Sequence, residues 1–261
     1  MMHIGAQRVW VVGHGFLGRV LADACRARGA AVLTIDPAAP ADVQGVANDA
    51  ATLATAWEQG APSLIFCCMA THGGTVAEYT ACYTETVQAL LRCCPMAKIV
   101  FCSSISVYGD CGGLCVTEQT PPLATSERAA VLLAAEQAVL AHGGCVARLA
   151  ALYGEQRCEL RRRHVAGEPQ LPGAPDRMLH YVHVEDAAEA LLLLARQSAA
   201  IYNVCGASFS KAEAYAALER ETGVPVSAAV SPASCRGGVN ARVSSAELLA
   251  LGWQPRPFFV E

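Results

Sequence analysis

Gly13-His14-Gly15-Phe16-Leu17-Gly18 spaces three glycines so that the chain can turn tightly and present bare main-chain amides to an anion. The preceding run, Arg8–Val12, is apolar and stops at the glycine, as a buried parallel strand does. Behind it Leu17, Val20, Leu21, Ala24 and Cys25 recur at helical spacing until Gly29. Asp36 closes the next apolar run, Ala31–Asp36, eighteen residues past Gly18. In this setting Gly13 permits the turn, Gly15 lets a pyrophosphate approach the backbone, and Gly18 lets the helix lie close to the sheet. Phe16 and Leu17 open the helix, where free N–H groups face the phosphates. The Asp36 carboxylate suits the hydroxyls of an adenosine ribose and repels a 2′-phosphate, and no Arg follows within ten residues. The expected ligand is therefore NAD rather than NADP. Asp49, in the irregular stretch beyond, is a further candidate for approaching the adenine.

The elements that must carry this loop follow from the same patterning. Ser63–Cys67 and Ile99–Cys102 are apolar runs that end in small residues, which adds Cys68, Ala70 and Ser103 to the expected cofactor-binding set. Val76–Cys94 reads as a helix stopped by Pro95, Ser126–His142 as a helix closed by two glycines, and Cys145–Leu149 as the next strand. After Gly154 the pattern loosens through the Arg-, Gly- and Pro-rich segment 157–175. It then resumes with a strand at Tyr181–Val184, a helix at Ala187–Arg196 and a strand at Ile201–Val204, and ends with helices at Lys211–Thr222 and Ser244–Leu251. Strands alternating with helices long enough for crossovers indicate an α/β fold with a parallel sheet.

Composition excludes several classes. Hydrophobic residues make up 53% of the 261 and charged residues only 16%, enough apolar surface for a core and too little charge for a disordered chain. A net charge of -4 argues against a general nucleic-acid binder. No apolar run approaches the ~18–20 residues of a membrane span, and the first residues lack the layout of a signal peptide, so a cytoplasmic protein is expected. The thirteen cysteines include no C-x-x-C and read as reduced, mostly buried thiols. No cluster has metal-ligand spacing, and no metal is expected. Arginines number seventeen against two lysines, Lys98 and Lys211.

From Cys102 to Gly109 the chain reads Cys-Ser-Ser-Ile-Ser-Val-Tyr-Gly. Glu118–Pro122, Ala135-Glu136, Arg148, Tyr153-Gly154, Val182–Asp186, Tyr202–Val204, Arg242–Ser245 and Leu251–Trp253 follow in order. Together these resemble the extended short-chain dehydrogenase/reductases of the NAD-dependent epimerase/dehydratase type. Gly109-Asp110-x-Gly112-Gly113 and Thr125–Arg128 make the chain similar to the short, atypical members. The resemblance implies a doubly wound parallel Rossmann sheet of about seven strands in a single domain, 1–261. It also implies a small C-terminal substrate-binding lobe, about 155–180 and 206–261. In relatives the helix matching Ser126–His142 packs in a dimer, which makes a homodimer one reading of its apolar face; burial inside one chain would give the same pattern.

The resemblance also implies catalysis by a Ser/Thr and a Tyr-x-x-x-Lys pair. Ser104 takes the Ser/Thr position. Arg128 and Leu132 stand where the Tyr and Lys belong, and neither residue type occurs from Gly109 to Leu152. A guanidinium stays protonated and cannot exchange the proton that a phenol does. Three outcomes stay open: a proton from Tyr108, Ser104, His72 or Tyr153; a substrate that needs none, such as an iminium or activated alkene; or no redox chemistry, leaving an NAD-binding scaffold or regulator. The expected catalytic residues are Ser104, as a hydrogen-bond donor to a substrate carbonyl, and Tyr108. Arg161-Arg162-Arg163-His164 could hold an anionic substrate group or form a solvated helix face. The leading expectation is an oxidoreductase or epimerase acting on a small, anionic metabolite. A nucleotide sugar is disfavoured by the short C-terminal lobe.

Overall fold

The computed structural model describes residues 4–71, 73–123, 126–154, 157–231 and 238–259. In chain order its strands are β1 (Arg8–Val12), β2 (Ala31–Asp36), β3 (Val43–Gln44), β4 (Leu64–Cys67), β5 (Lys98–Ser104) and β6 (Asp110–Val116). They continue with β7 (Cys145–Leu149), β8 (Ala151–Tyr153), β9 (Met178–His183), β10 (Ile201–Val204), β11 (Ala207–Ser210) and β12 (Asn240–Val243). The helices are α1 (Phe16–Ala27), α2 (Ala50–Glu58), α3 (Val76–Tyr79), α4 (Thr86–Cys93) and α5 (Glu127–Ala141). After them come α6 (Glu159–Val165), α7 (Val184–Leu194), α8 (Lys211–Thr222) and α9 (Ala246–Ala250). A π-helical turn, Thr80–Glu85, joins α3 to α4, so the helix expected over Val76–Cys94 forms with a bulge inside it.

Seven strands build one parallel sheet in the order β3-β2-β1-β4-β5-β7-β10, the doubly wound arrangement expected. Its strands are apolar throughout because both faces are covered. Val9, Val11, Leu64, Phe66, Val100 and Cys102 enter a core shared with α1 and α7. Their neighbours Trp10, Val12, Ile65, Cys67, Ile99 and Phe101 enter a second core shared with α2, α4 and α5. The period of two thus sends alternate residues to opposite cores. From β1 the chain first builds outward through β2 and β3, then returns to place β4 on the other flank of β1. That reversal opens a crevice at the carboxyl ends of β1 and β4.

β9 departs from the expected alternation. It pairs with β8 in parallel and with β11 antiparallel, outside the main sheet. The reason lies in its side chains. Val182 joins the α1/α7 core, while Leu179 and Tyr181 pack with Tyr153, Phe209 and Phe258 around Leu160, Tyr215 and Leu218. This aromatic cluster gives the C-terminal residues a core of their own. β6 and β12 form a further two-stranded parallel pair that the glycine-rich 110–116 pattern did not disclose.

Candidate active site

β1 delivers Gly13 to the carboxyl edge of the sheet, where its N–H donates to Ile35 O at 2.8 Å. Gly13 has φ +91°, and a Cβ there would sit 2.5 Å from Met69 N. At Gly18 a Cβ would lie 1.8 Å from Gly13 O, so α1 packs this close only without a side chain. Gly15 is different: a Cβ would meet nothing within 4 Å. The space its missing side chain leaves is therefore not used by the fold. α1 begins at that point with no side-chain cap and no acidic residue in its first turn, which leaves its first amides for an anion. A diphosphate fits this loop.

Asp36 holds the loop from the next strand. Its Oδ2 accepts from His14 N at 2.7 Å, and Oδ1 accepts from Ala38 N and Ala39 N at 2.8 and 2.7 Å. Burial raises the carboxyl pKa, but these three N–H donors and the His14 ring outweigh it and hold the group below its ordinary value. Asp36 is thus ionised and only half-buried, with one acceptor site on Oδ2 left for a ribose hydroxyl. Asp49 is otherwise engaged: its carboxylate caps α2 by accepting from Thr52 N at 2.9 Å.

Further along the edge, Cys68 follows β4, with its N–H on Val12 O and its Sγ 3.8 Å from Cys102 Sγ. Contact with Cys102 and burial push its thiol well above the ordinary range. Ala70 is exposed two residues on. Ser103 and Ser104, adjacent at the end of β5, face opposite sides. Ser103 turns to the α5 side, where its hydroxyl donates to Glu136 Oε1 at 2.5 Å. Glu136 also pairs with Arg148 through bonds of 2.7 to 3.3 Å, both side chains being almost fully buried. The Arg148 guanidinium lies 4.9 Å from the Tyr108 ring centroid. The Tyr108 hydroxyl in turn lies 2.8 Å from Asn203 Oδ1 and 3.0 Å from Thr117 O, its single proton directed between two acceptors. The residues that carry the resemblance at 103, 108, 136, 148 and 203 are therefore one buried network that fixes the corner after β5. Tyr108 is fully buried, and burial raises its phenol pKa. It lies within this network and does not line the cavity described next.

Ser104 caps the short 3-10 turn Ile105–Tyr108 by accepting from Ser106 N at 3.1 Å. The acceptor role leaves its own proton free to donate. It lies on the wall of a cavity of about 420 Å³ above the ends of β5 and β7, closed by Leu171, Pro172, β9 and the start of α8. Among the described residues, the cavity's charged lining is Arg177 and Lys211, with no Asp or Glu. Arg177 donates to Gly238 O at 2.8 Å and lies 3.6 Å from Asp110. His180 also lines it, with Nε2 2.6 Å from Ala241 O, which fixes the proton on Nε2 and leaves the lone pair on Nδ1. Burial depresses its pKa most, the bond to Ala241 opposing and the Arg177 charge adding, so the ring is neutral at pH 7.

Arg177, His180 and Lys211 went unread in the sequence because loop and strand bring them together from a distance. One signal existed: Lys211 is one of only two lysines and opens a helix, where a positive charge is unfavourable. The expected basic run at 161–164 does not line the cavity. Arg161 pairs with Glu221, Arg162 with Glu159 and Glu168, and Arg163 donates to Pro169 O, while His164 meets Thr222. Tyr153 packs edge-on against His183 and Tyr181 in the aromatic cluster, and His183 caps α7. His72 lies outside the described residues. Arg128 is exposed, donating to Gly74 O with its guanidinium 5.1 Å from the Tyr79 ring centroid, and Leu132 is buried in the α5 core. Among the described residues no three His, Cys, Asp or Glu gather to hold a metal ion, and no helix is long and apolar enough to cross a membrane.

No curated protein matches the sequence. Solved structures match the whole architecture. The UDP-glucose 4-epimerase of Thermus thermophilus, a complex with NAD, superposes with a TM-score of 0.79 at 24% identity, covering 97% of this chain and 95% of that one. The Bordetella bronchiseptica enzyme WbmG, in complex with NAD and UDP, gives 0.80 at 18% identity over 99% and 92%. The dTDP-glucose 4,6-dehydratase of Bacillus anthracis, also with NAD, gives 0.78 at 16% over 97% and 92%. At these identities the likeness is one of fold. The sequence profile of the NAD dependent epimerase/dehydratase family matches residues 9–205, the stretch that runs from β1 through β10 and contains the glycine loop, Asp36 and the Ser103-Ser104 corner. With three quarters of its length inside that profile, the chain belongs to the NAD dependent epimerase/dehydratase family.

Proposed function

We propose that the chain is an NAD(H)-dependent oxidoreductase or epimerase-like enzyme acting on a small anionic metabolite. The observation that carries this reading is the order of groups along the carboxyl edge of the sheet. Asp36 ends β2, the glycine loop follows β1, Cys68 and Ala70 follow β4, Ser104 ends β5, and the cavity lies over β5 and β7, all on adjacent strands. Asp36 holds the adenosine ribose, the amides at Phe16 and Leu17 hold the diphosphate, and residues 68–70 line the path of the second nucleotide, while Ser103, turned into the α5 network, does not reach it. Bound NAD supplies a hydride acceptor, or in reduced form a donor. Ser104 donates its free proton to a substrate carbonyl oxygen, stabilising the charge that develops there.

Arg128 and Leu132 occupy the family's Tyr and Lys positions and supply neither a phenol nor an ammonium to the reaction. Proton exchange then falls to the cavity's own groups. His180, neutral with a free Nδ1, serves as acceptor in the direction of alcohol oxidation. Tyr108 acts as a post of the buried network, its hydroxyl occupied. A homodimer through α5 suits the exposed Ala130 and Ala134 and half-exposed Leu133 on its outer face, and sedimentation tests it.

The test is NADH oxidation with a panel of carbonyl and imine acceptors, comparing wild type with Ser104→Ala. Turnover that falls at least tenfold in the variant supports the enzyme. Tight NAD binding with no turnover on any acceptor supports the second reading, a cofactor-binding regulator, which the residues at 128 and 132 favour.

A further inference from the structure

Lys211 is 3% exposed, yet it makes no ion pair among the described residues. Its Nζ donates to Leu171 O at 3.1 Å and to Gly173 O at 2.5 Å, which uses two of the three N–H bonds of an ammonium. A buried charge without a counter-charge is costly to the fold. Its place makes matters worse, since it is the first residue of α8, at the positive end of the helix dipole. Two acid groups close by in sequence do not relieve it: Glu213 is committed to the capping box with Ser210, and Asp176 does not line the cavity. The Lys211 main-chain N–H donates to Arg177 O at 2.8 Å, and both residues line the cavity, the Arg177 guanidinium lying 3.6 Å from Asp110.

A charge placed against stability on two counts, on the wall of a cavity with no carboxylate among its described lining residues, calls for an anion from outside the chain. We infer that Lys211, with Arg177 beside it, is the receptor for an oxyanion of the substrate, either a carboxylate or a phosphate group. The inference rests on the reading of this cavity as the substrate site. It also says where the anionic group sits: against the start of α8, beside the Leu171 and Gly173 carbonyls that hold Lys211.

Thermal unfolding of the full chain with saturating NAD tests it. Inorganic phosphate and malonate are titrated separately, with sodium chloride as the reference at equal ionic strength. Wild type shows a saturable rise in Tm with at least one of the two anions, as ligand linkage requires. The anion that saturates at the lower concentration identifies phosphate or carboxylate. Lys211→Met needs at least tenfold more of that anion, Lys211→Arg retains the response, and Arg177→Met weakens it as well. The NAD-induced rise in Tm stays intact in all four proteins, which shows that each variant folds and keeps its cofactor site. No saturable response in wild type, or an unchanged response in Lys211→Met, overturns the inference. Loss of the NAD response in wild type instead sinks the cofactor reading.

Discussion

Gly15 and Gly18 belong to one motif but do different work, and alanine at each position separates them. At Gly18 the added methyl would lie 1.8 Å from Gly13 O and 2.9 Å from Gly13 C, both backbone atoms that no rotamer can clear. Ordinary contact needs more than 3 Å, so α1 or the loop must move by over 1 Å at the centre of the fold. Overpacking of this kind costs about 1–3 kcal/mol, and rigid backbone on both sides puts Gly18→Ala at the upper end. At Gly15 the methyl meets nothing within 4 Å. Its φ of -80° lies outside the left-handed region that favours glycine, and replacing a glycine there removes ~0.4–1 kcal/mol of unfolded-state entropy. Stability should therefore change by less than about 1 kcal/mol. The methyl does enter the space in which a diphosphate must approach the amides, so NAD affinity should fall at least tenfold, about 1.4 kcal/mol. Urea unfolding gives the first quantity and isothermal calorimetry with NAD the second. Gly15→Ala with undiminished NAD affinity would refute the assignment of this space to the cofactor.

Other expectations follow from the buried groups. Glu136→Ala removes the partner of a buried arginine and should cost about 3–5 kcal/mol in urea unfolding, whereas a loss below 1 kcal/mol would mean that the network does not hold the corner. Tyr108→Phe removes one hydroxyl from two acceptors and should cost about 1–2 kcal/mol with NAD affinity and turnover unchanged; a large loss of turnover at unchanged stability would return Tyr108 to the reaction. His180 is held neutral by burial, so its folded pKa lies below the unfolded value of about 6.5. The stability it contributes is complete above that pH. It is lost as pH falls towards the folded pKa, by up to about 1.4 kcal/mol per unit, because the unfolded chain takes up the proton first. Unfolding at pH 7.5 and 5.5 should show a shallower dependence in His180→Gln than in wild type, and equal slopes would contradict it.

The glycine loop and Asp36 were legible because their geometry is local: a strand, a turn, a helix start and the end of the next strand lie within 29 residues, 8–36. The parallel sheet was legible for a related reason, since strands covered on both faces read as unbroken apolar runs. Ser103 and Ser104 show a signal that was present and went unused. Ile99 and Phe101 face the α5 core, so a period of two sends Ser103 there with them and leaves only Ser104 for the cavity. Tyr108 could not be placed in this way, because the partners of its hydroxyl lie on a distant strand and a loop. The lobe was hardest to read. β8 and β11 are three and four residues long, β6 is rich in glycine, and β9 divides its side chains between two cores, so none shows a clean alternation.

The central claim is that the loop at 13–18 and the Asp36 carboxylate together hold NAD. Calorimetric titration of wild type and Asp36→Asn with NAD and with NADP tests it most directly. Wild type should bind NAD and prefer it to NADP by at least tenfold, and Asp36→Asn should lose NAD affinity while narrowing that preference. Absence of NAD binding by the folded protein, or an affinity and preference unmoved by Asp36→Asn, would contradict the account.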